Sequence, residues 1–177
     1  MSGLGWALFD TAVGRCAVAW GEAGVAGVQL PEASDGAARA RLRRRFAGGA
    51  EAAPPPDVGG AIAAITALLG GQPADLRSIA LDLRCVPDFD RRVYEAARDI
   101  PPGETRTYGE VARLAGHPGA ARAVGAALAR NPFPIVVPCH RVVAAGGGAG
   151  GFSARGGVAT KIRLLAIERA WAGGAPD

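Results

Sequence analysis

The chain predicts an α+β fold with its strands first and its helices after. Residues 6–30 hold three short apolar segments rich in Val, Ala, Leu and Trp, parted by glycine-bearing turns. From residue 88 onward the apolar positions fall at helical spacing, with capping residues and proline stops. Between these regions, residues 49–56 and 84–87 read as connections. The chain has 177 residues, enough for one domain or two small ones. Half of it is apolar (49%) and a fifth is charged, which excludes a disordered chain. The 27 glycines follow no period, which excludes collagen.

Residues 6–10, 15–20 and 24–30 are expected to form an antiparallel meander. Residues 37–46 form a basic helix with arginines on several faces, and residues 49–56 a Gly/Ala/Pro linker. Residues 58–69 are an apolar helix ended by Gly70 and Gly71. Residues 78–83 alternate as a last strand would, and a boundary near 84–87 divides a unit 1–86 from a unit 87–177. Asp88 is expected to cap a helix running through Val93, Ala96 and Ala97 to Ile100, stopped by Pro101 and Pro102. Thr107 is expected to cap a short helix over 108–114, and residues 116–119 form a turn. Residues 120–128 form a third helix, and 157–171 a final amphipathic one. Two short helices joined by a tight glycine-containing turn fit a helix-turn-helix, or any helical hairpin.

No apolar run approaches the roughly 20 residues of a membrane helix. The start, MSGLGWALFD, has no basic region, so no secretory signal is expected. Three cysteines (Cys16, Cys85, Cys139) without paired spacing fit a reducing cytosol rather than a disulfide framework. Residues 1–86 carry 8 basic and 8 acidic side chains, whereas residues 87–177 carry 12 and 8. Within 120–170, Arg122, Arg130, Arg141, Arg155, Lys161, Arg163 and Arg169 face Glu168 alone. That excess fits either a polyanion partner or a solvated basic face. Arginine outnumbers lysine 19 to 1 in an Ala- and Gly-rich chain, so arginine preference itself carries no information.

The third helix offers only Arg122 among methyl-sized groups (Ala120, Ala121, Ala123, Gly125). A major-groove reader presents several Asn, Gln, Arg or Lys side chains. This helix suits either a close approach to a sugar-phosphate wall or tight packing in a core. After it comes the chemically informative run, with Asn131, the apolar residues 135–137, Pro138, Cys139, His140 and Arg141. A thiol beside His140 and Arg141 is expected to have a lowered pKa and to be nucleophilic; the alternative is a buried inert thiol. Adjacent Cys and His side chains diverge, so His140 is expected to reach the thiol through a water and to need a carboxylate, for which Glu168 is available. Two histidines and three scattered cysteines give no metal-ligand spacing, and no metal or cofactor is expected.

The run PCHRVV, preceded by RAVGAALARNPFPIV and followed by GGFSARGGVATKIRLLAIE, closely resembles the O6-alkylguanine-DNA alkyltransferases, the methylated-DNA–protein-cysteine S-methyltransferases. The resemblance continues upstream through FDRRVYEAARDIPPGETRTYGEVARLAG and covers about residues 87–170. It implies a small N-terminal α/β domain with an antiparallel, RNase H-like sheet, then a winged helix-turn-helix-like domain bearing the acceptor. It also implies a monomer in the cytoplasm whose partner is double-stranded DNA holding O6-alkylguanine, with O4-alkylthymine as a further substrate.

By the same resemblance, Cys139 takes the alkyl group, His140 acts as its base through water, and Glu168 holds the imidazole. Tyr108 protonates the departing guanine, and Asn131 braces the turn before the cysteine. Arg122 enters the base stack where the flipped nucleotide was, offsetting part of an extrusion cost of a few kcal/mol. Val142 and Ser153 contact the extruded base and Phe152 walls its pocket, where many relatives carry Tyr. Ala120, Ala121, Arg122, Ala123 and Gly125 lie against DNA in the minor groove. The competing readings are a relative that binds alkyl lesions without an acceptor, a Cys-His hydrolase, and a transcription regulator. Cys139 within an intact PCHR run, the adjacency of Cys139 and His140, and the weak base-reading content of 120–128 argue against them in turn.

Overall fold

A computed structural model describes residues 3–172. Three strands, β1 (Gly5–Thr11), β2 (Gly14–Gly21) and β3 (Gly24–Gln29), form the expected antiparallel meander. Helix α1 (Asp35–Arg45) follows, capped by the Ser34 hydroxyl, which accepts from Ala37 N at 3.1 Å. The expected linker contains a two-residue strand, β4 (Ala50–Glu51), which runs parallel to β1 and completes a sheet of order β3-β2-β1-β4. Interior strand β2 is buried on both faces, which explains its unbroken apolar run. On one face, Trp6, Ala17 and Ala19 pack with Leu42 of α1. On the other, Cys16, Val18 and Trp20 meet Val58, Ile65 and Leu69 of α2 (Pro56–Leu69) in a core that continues to Val93, Val124 and Leu164.

Residues 78–83 do not form the expected strand. Only Leu81 bridges, to Val25, with Val25 N donating to Ala80 O (2.9 Å) and Asp82 N to Val25 O (2.7 Å). The Arg98 guanidinium takes the Ile79 carbonyl and those of Leu76 and Arg77 just before the segment, at 2.9 Å each, which holds the chain entering it to Arg98 rather than along β3. Gly24 permits the close approach. Its φ is +115°, and a Cβ there would stand 2.5 Å from Ala80 O.

The helical half consists of α3 (Asp88–Arg98), α4 (Tyr108–Leu114), α5 (Ala121–Ala129) and α6 (Val158–Ala172). Short strands β5 (Arg106–Thr107) and β6 (Val142–Val143) pair in parallel beside them. Pro87, not Asp88, occupies the cap position of α3; Asp88 lies in the first turn, where a carboxylate favours the helix dipole. Thr107 caps α4 as expected, through a reciprocal capping box with Glu110.

Helix α6 is not amphipathic in the ordinary sense. It buries Lys161 and Glu168 with Leu164 and leaves Val158 and Ile162 exposed. The two expected units meet directly, with Val28 N donating to Pro132 O at 2.9 Å. Their outer limits extend into residues 1–2 and 173–177, outside the described residues.

Candidate active site

The turn before the cysteine is held in an unusual shape. Ile135 has φ +75°, a left-handed conformation that a β-branched residue rarely adopts. Asn131 braces this turn: its Nδ2 donates to Val137 O (3.0 Å) and its Oδ1 accepts from Phe133 N (2.9 Å). Pro138 leads into a single 3-10 turn, Cys139–Arg141, in which successive side chains point about 120° apart. Cys139, His140 and Arg141 therefore diverge, and all three are buried.

Glu168, on α6, gathers two of them. His140 Nε2 lies 2.7 Å from Glu168 Oε1, and the Arg141 guanidinium bonds both carboxylate oxygens at 2.8–3.2 Å. Arg141 also donates to Ile100 O at 2.7 Å. Burial alone would raise the Glu168 pKa, but the bonds and charges of His140 and Arg141 outweigh it and bring it down to about 2. Burial, joined by the charges of Arg141 and Lys161, lowers the His140 pKa against the raising effect of Glu168, so the resting imidazole is neutral. An ionised Glu168 takes the Nε2 proton, which assigns the lone pair to Nδ1. That atom is buried and has no protein partner among the described residues.

The Cys139 thiol departs from expectation. Burial raises its pKa, against smaller lowering effects from Asn131, Lys161 and nearby backbone N–H groups. It rests as a thiol because desolvation opposes the thiolate more than the site's positive charge favours it. Nor is the local cation the expected Arg141, which is committed to Glu168. It is Lys161, fully buried on α6, whose ammonium donates to Val142 O (2.5 Å) and Gly151 O (3.3 Å) and lies 5.7 Å from the Tyr108 ring centre. Lys161 figured in the sequence only as one of seven basic groups. The signal available was its being the sole lysine of the chain, on a helix whose polar positions do not share one face.

A cavity of about 620 Å³ opens over Cys139, walled by Tyr108, Arg122, Gly125, Gly151, Phe152 and Ser153. Burial and the nearby thiol raise the Tyr108 pKa, which keeps its hydroxyl protonated. Gly150 lets the chain pass this hydroxyl: with φ +75°, a Cβ there would lie 2.6 Å from Tyr108 Oη. Arg122 is exposed at the cavity mouth, and Ala121 lines it too. Ala120 caps α5 and Ala123 is exposed, both off the cavity wall. Val142 is also off the wall; its side chain is fully buried and its carbonyl is taken by Lys161.

The basic excess is smaller at the surface than in the sequence. Arg130 grips buried Asp90 through two bonds of 2.6 Å, Arg141 and Lys161 are internal, and Arg122, Arg155, Arg163 and Arg169 remain exposed.

Residues 88–170 match the family model described as 6-O-methylguanine DNA methyltransferase, DNA binding domain. A methylated-DNA–protein-cysteine methyltransferase of Mycolicibacterium paratuberculosis is 50% identical over 110 residues, 62% of this chain and 64% of that one. The chain thus spans just under two thirds of that relative's length. One from Methanothermobacter thermautotrophicus is 37% identical over 151 residues, 85% of this chain and 77% of its own. Among solved structures, that of Mycobacterium tuberculosis OGT in complex with DNA superposes with a TM-score of 0.76 at 34% identity, covering 94% of both chains.

Proposed function

Because the chain belongs to the methylated-DNA–protein-cysteine methyltransferase family, we propose that it repairs DNA by moving the alkyl group of O6-alkylguanine, and of O4-alkylthymine, onto its own Cys139. The observation that carries this reading is a buried cysteine at the floor of a base-sized cavity, next in sequence to a neutral histidine whose other nitrogen is held by Glu168. We assign residues 87–177 to DNA binding and alkyl acceptance, and residues 1–86 to a scaffold. The reading extends to a monomer in the cytoplasm, with no protein partner. Among the described residues no helix is long and apolar enough to cross a membrane.

The chemistry follows from the protonation states. The thiol gives its proton, through water, to the lone pair of His140 Nδ1, and Glu168 stabilises the imidazolium that forms. The sulfur attacks the alkyl carbon, forming a carbon–sulfur bond as the carbon–O6 bond breaks. Guanine leaves with the electron pair and takes a proton from the Tyr108 hydroxyl, which His140 restores. The sum moves one proton from thiol to base and one alkyl group from base to sulfur, so no cofactor is invoked. Arg122, at the cavity mouth, fills the stack as the nucleotide turns out, and Ser153 and Phe152 receive the base. The small residues Ala120, Ala121, Ala123 and Gly125 let α5 approach the minor groove, and Val142 acts through its backbone by holding Lys161 under Tyr108.

A thioether has no easy leaving path, so each molecule acts once. Incubation with duplex DNA holding O6-methylguanine is expected to add the mass of one methyl group per protein, on Cys139. Cys139→Ala should gain nothing yet still bind the duplex. Repeated turnover, or an adduct on Cys85 or Cys16, would overturn the reading. Cys85 is exposed, while burial pushes Cys16 up to about 11.

A further inference from the structure

Cys139 borders a second space. A polar groove of about 420 Å³ lies between the two halves of the chain and shares Cys139, Phe152 and Ser153 with the base cavity. Its remaining wall carries Arg41, Arg45, Arg130 and Arg155 against a single acid, Glu32. Two of these arginines are committed. Arg41 pairs with Glu32 at 2.5 Å, and Arg130 pairs with Asp90. Arg45 and Arg155 have no carboxylate partner among the described residues. The Arg45 guanidinium lies 5.0 Å from the ring centre of Phe46, which limits its freedom.

Resting on the proposed function, we propose that this groove receives the far end of the transferred alkyl group and favours groups that end in a carboxylate. In a displacement at carbon, the sulfur, the carbon and the departing O6 lie on one line. With the base in the larger cavity, anything further attached to that carbon projects sideways past Cys139. The other space that Cys139 borders is the arginine groove. A methyl group is too short to extend into it, whereas a longer group has that space to occupy. A carboxylate there meets two guanidinium groups that have no carboxylate partner of their own among the described residues and stand exposed along the groove. The bonds made and broken are those of the methyl reaction: sulfur joins the CH2 carbon, that carbon leaves O6, and the carboxylate passes through unchanged. A DNA phosphate would also suit the arginines. It has no need to reach the sulfur, however, and this groove does reach it.

The test compares single-turnover rates on O6-carboxymethylguanine and its neutral isostere O6-carbamoylmethylguanine, each in duplex DNA and as the free nucleoside. The ratio of the two rates is read for the wild type, Arg45→Gln, Arg155→Gln and the double variant. The carbamoylmethyl rate serves as the internal control for folding. The ratio is expected to fall about tenfold in the double variant, by a similar factor in duplex and nucleoside, with each single variant between. An unchanged ratio overturns the inference. So does a ratio that changes only in duplex DNA, which would assign the arginines to the phosphate backbone. Methyl transfer by the wild type from O6-methylguanine is measured first. Its failure removes the underlying reading, whereas its success with an unchanged ratio removes only this inference.

Discussion

Around β2 the interior is built from side chains without charge: Cys16, Val18 and Trp20 on one face, Ala17 and Ala19 on the other. Around Cys139 it is built from ions, with Arg141, Lys161 and Glu168 all at 5% exposure or less and His140 among them. The sheet half leaves its charges outside, as in the pairs Arg39–Glu51 and Arg15–Asp35. Apolar burial is non-directional and gives stability that pH hardly touches. Buried ions bear a large desolvation cost and are retained only where geometry and hydrogen bonds offset it. The sheet half is thus organised for stability, and the site half for holding one thiol, one imidazole and one phenol in fixed protonation states.

The sharpest way to break this contrast is to remove the carboxylate. Glu168→Gln should destabilise the fold by about 3–5 kcal/mol, because it leaves the Arg141 guanidinium buried without its counter-ion. It should also slow alkyl transfer severely. Leu42→Ala, in the uncharged cluster of the sheet, should cost a comparable 2–5 kcal/mol through its cavity. The pH dependence separates the two. The folded Glu168 pKa of about 2 lies below its ordinary 4.5, so its contribution is complete above about pH 5 and is lost as pH falls toward 2. His140 is likewise held below its ordinary 6.5, so the unfolded state binds that proton first and acid again destabilises. In thermal melts, the gap between wild type and Glu168→Gln should therefore close on acidification, whereas the gap to Leu42→Ala should stay nearly constant. Parallel curves for both variants would refute the contrast.

A smaller effect is expected at the cavity mouth. Arg122→Ala should slow repair in duplex DNA by at least about tenfold even at saturating protein, with little effect on free O6-benzylguanine, since the free base needs no extrusion. Rapid-quench kinetics on duplex, mismatched and single-stranded substrates should show the defect shrinking as the lesion unstacks more easily. An equal defect on all three would make Arg122 an ordinary phosphate ligand.

Within the site, Lys161→Met should remove a charge that favours the thiolate and two bonds that tie Val142 to Gly151. Transfer at neutral pH should drop several-fold, because loss of the nearby charge raises the Cys139 pKa further, and recover as pH rises. The pH dependence of iodoacetamide labelling at Cys139 should shift upward with it. A uniform loss at every pH would make Lys161 purely structural. The smallest effect belongs to the sheet surface. Arg39→Ala breaks an exposed ion pair and should move Tm by no more than about 2 °C, with transfer unchanged.

Local rules were sufficient for much of the molecule. The meander β1–β3, the cap at Thr107, the helix pair α4 and α5, and the adjacent, diverging Cys139 and His140 were all legible, because each depends on residues within a few positions of one another. The brace at Asn131 is of the same kind, since it bonds Phe133 and Val137. Residues 78–83 failed as a strand because the chain from Leu76 to Ile79 is held by Arg98, about twenty positions away, and only Leu81 bridges to Val25. Helix α6 was misread because periodicity assumes that charges seek water. Glu168 and Lys161 face inward only because Arg141, His140 and the Val142 carbonyl, 19 to 28 positions upstream, meet them there.

By itself, then, the sequence determined the order of elements, the adjacency of Cys139 and His140, and the methyl-sized face of α5, since covalent order and short-range hydrogen bonding decide these. Only the tertiary structure decided that Cys139 rests as a thiol, that Arg141 and Lys161 are internal, and that an arginine-lined groove opens beside the sulfur. Each of these depends on burial or on long-range pairing. A side chain's solvation and the charges around it are properties of the packed molecule, which no local stretch of the chain encodes.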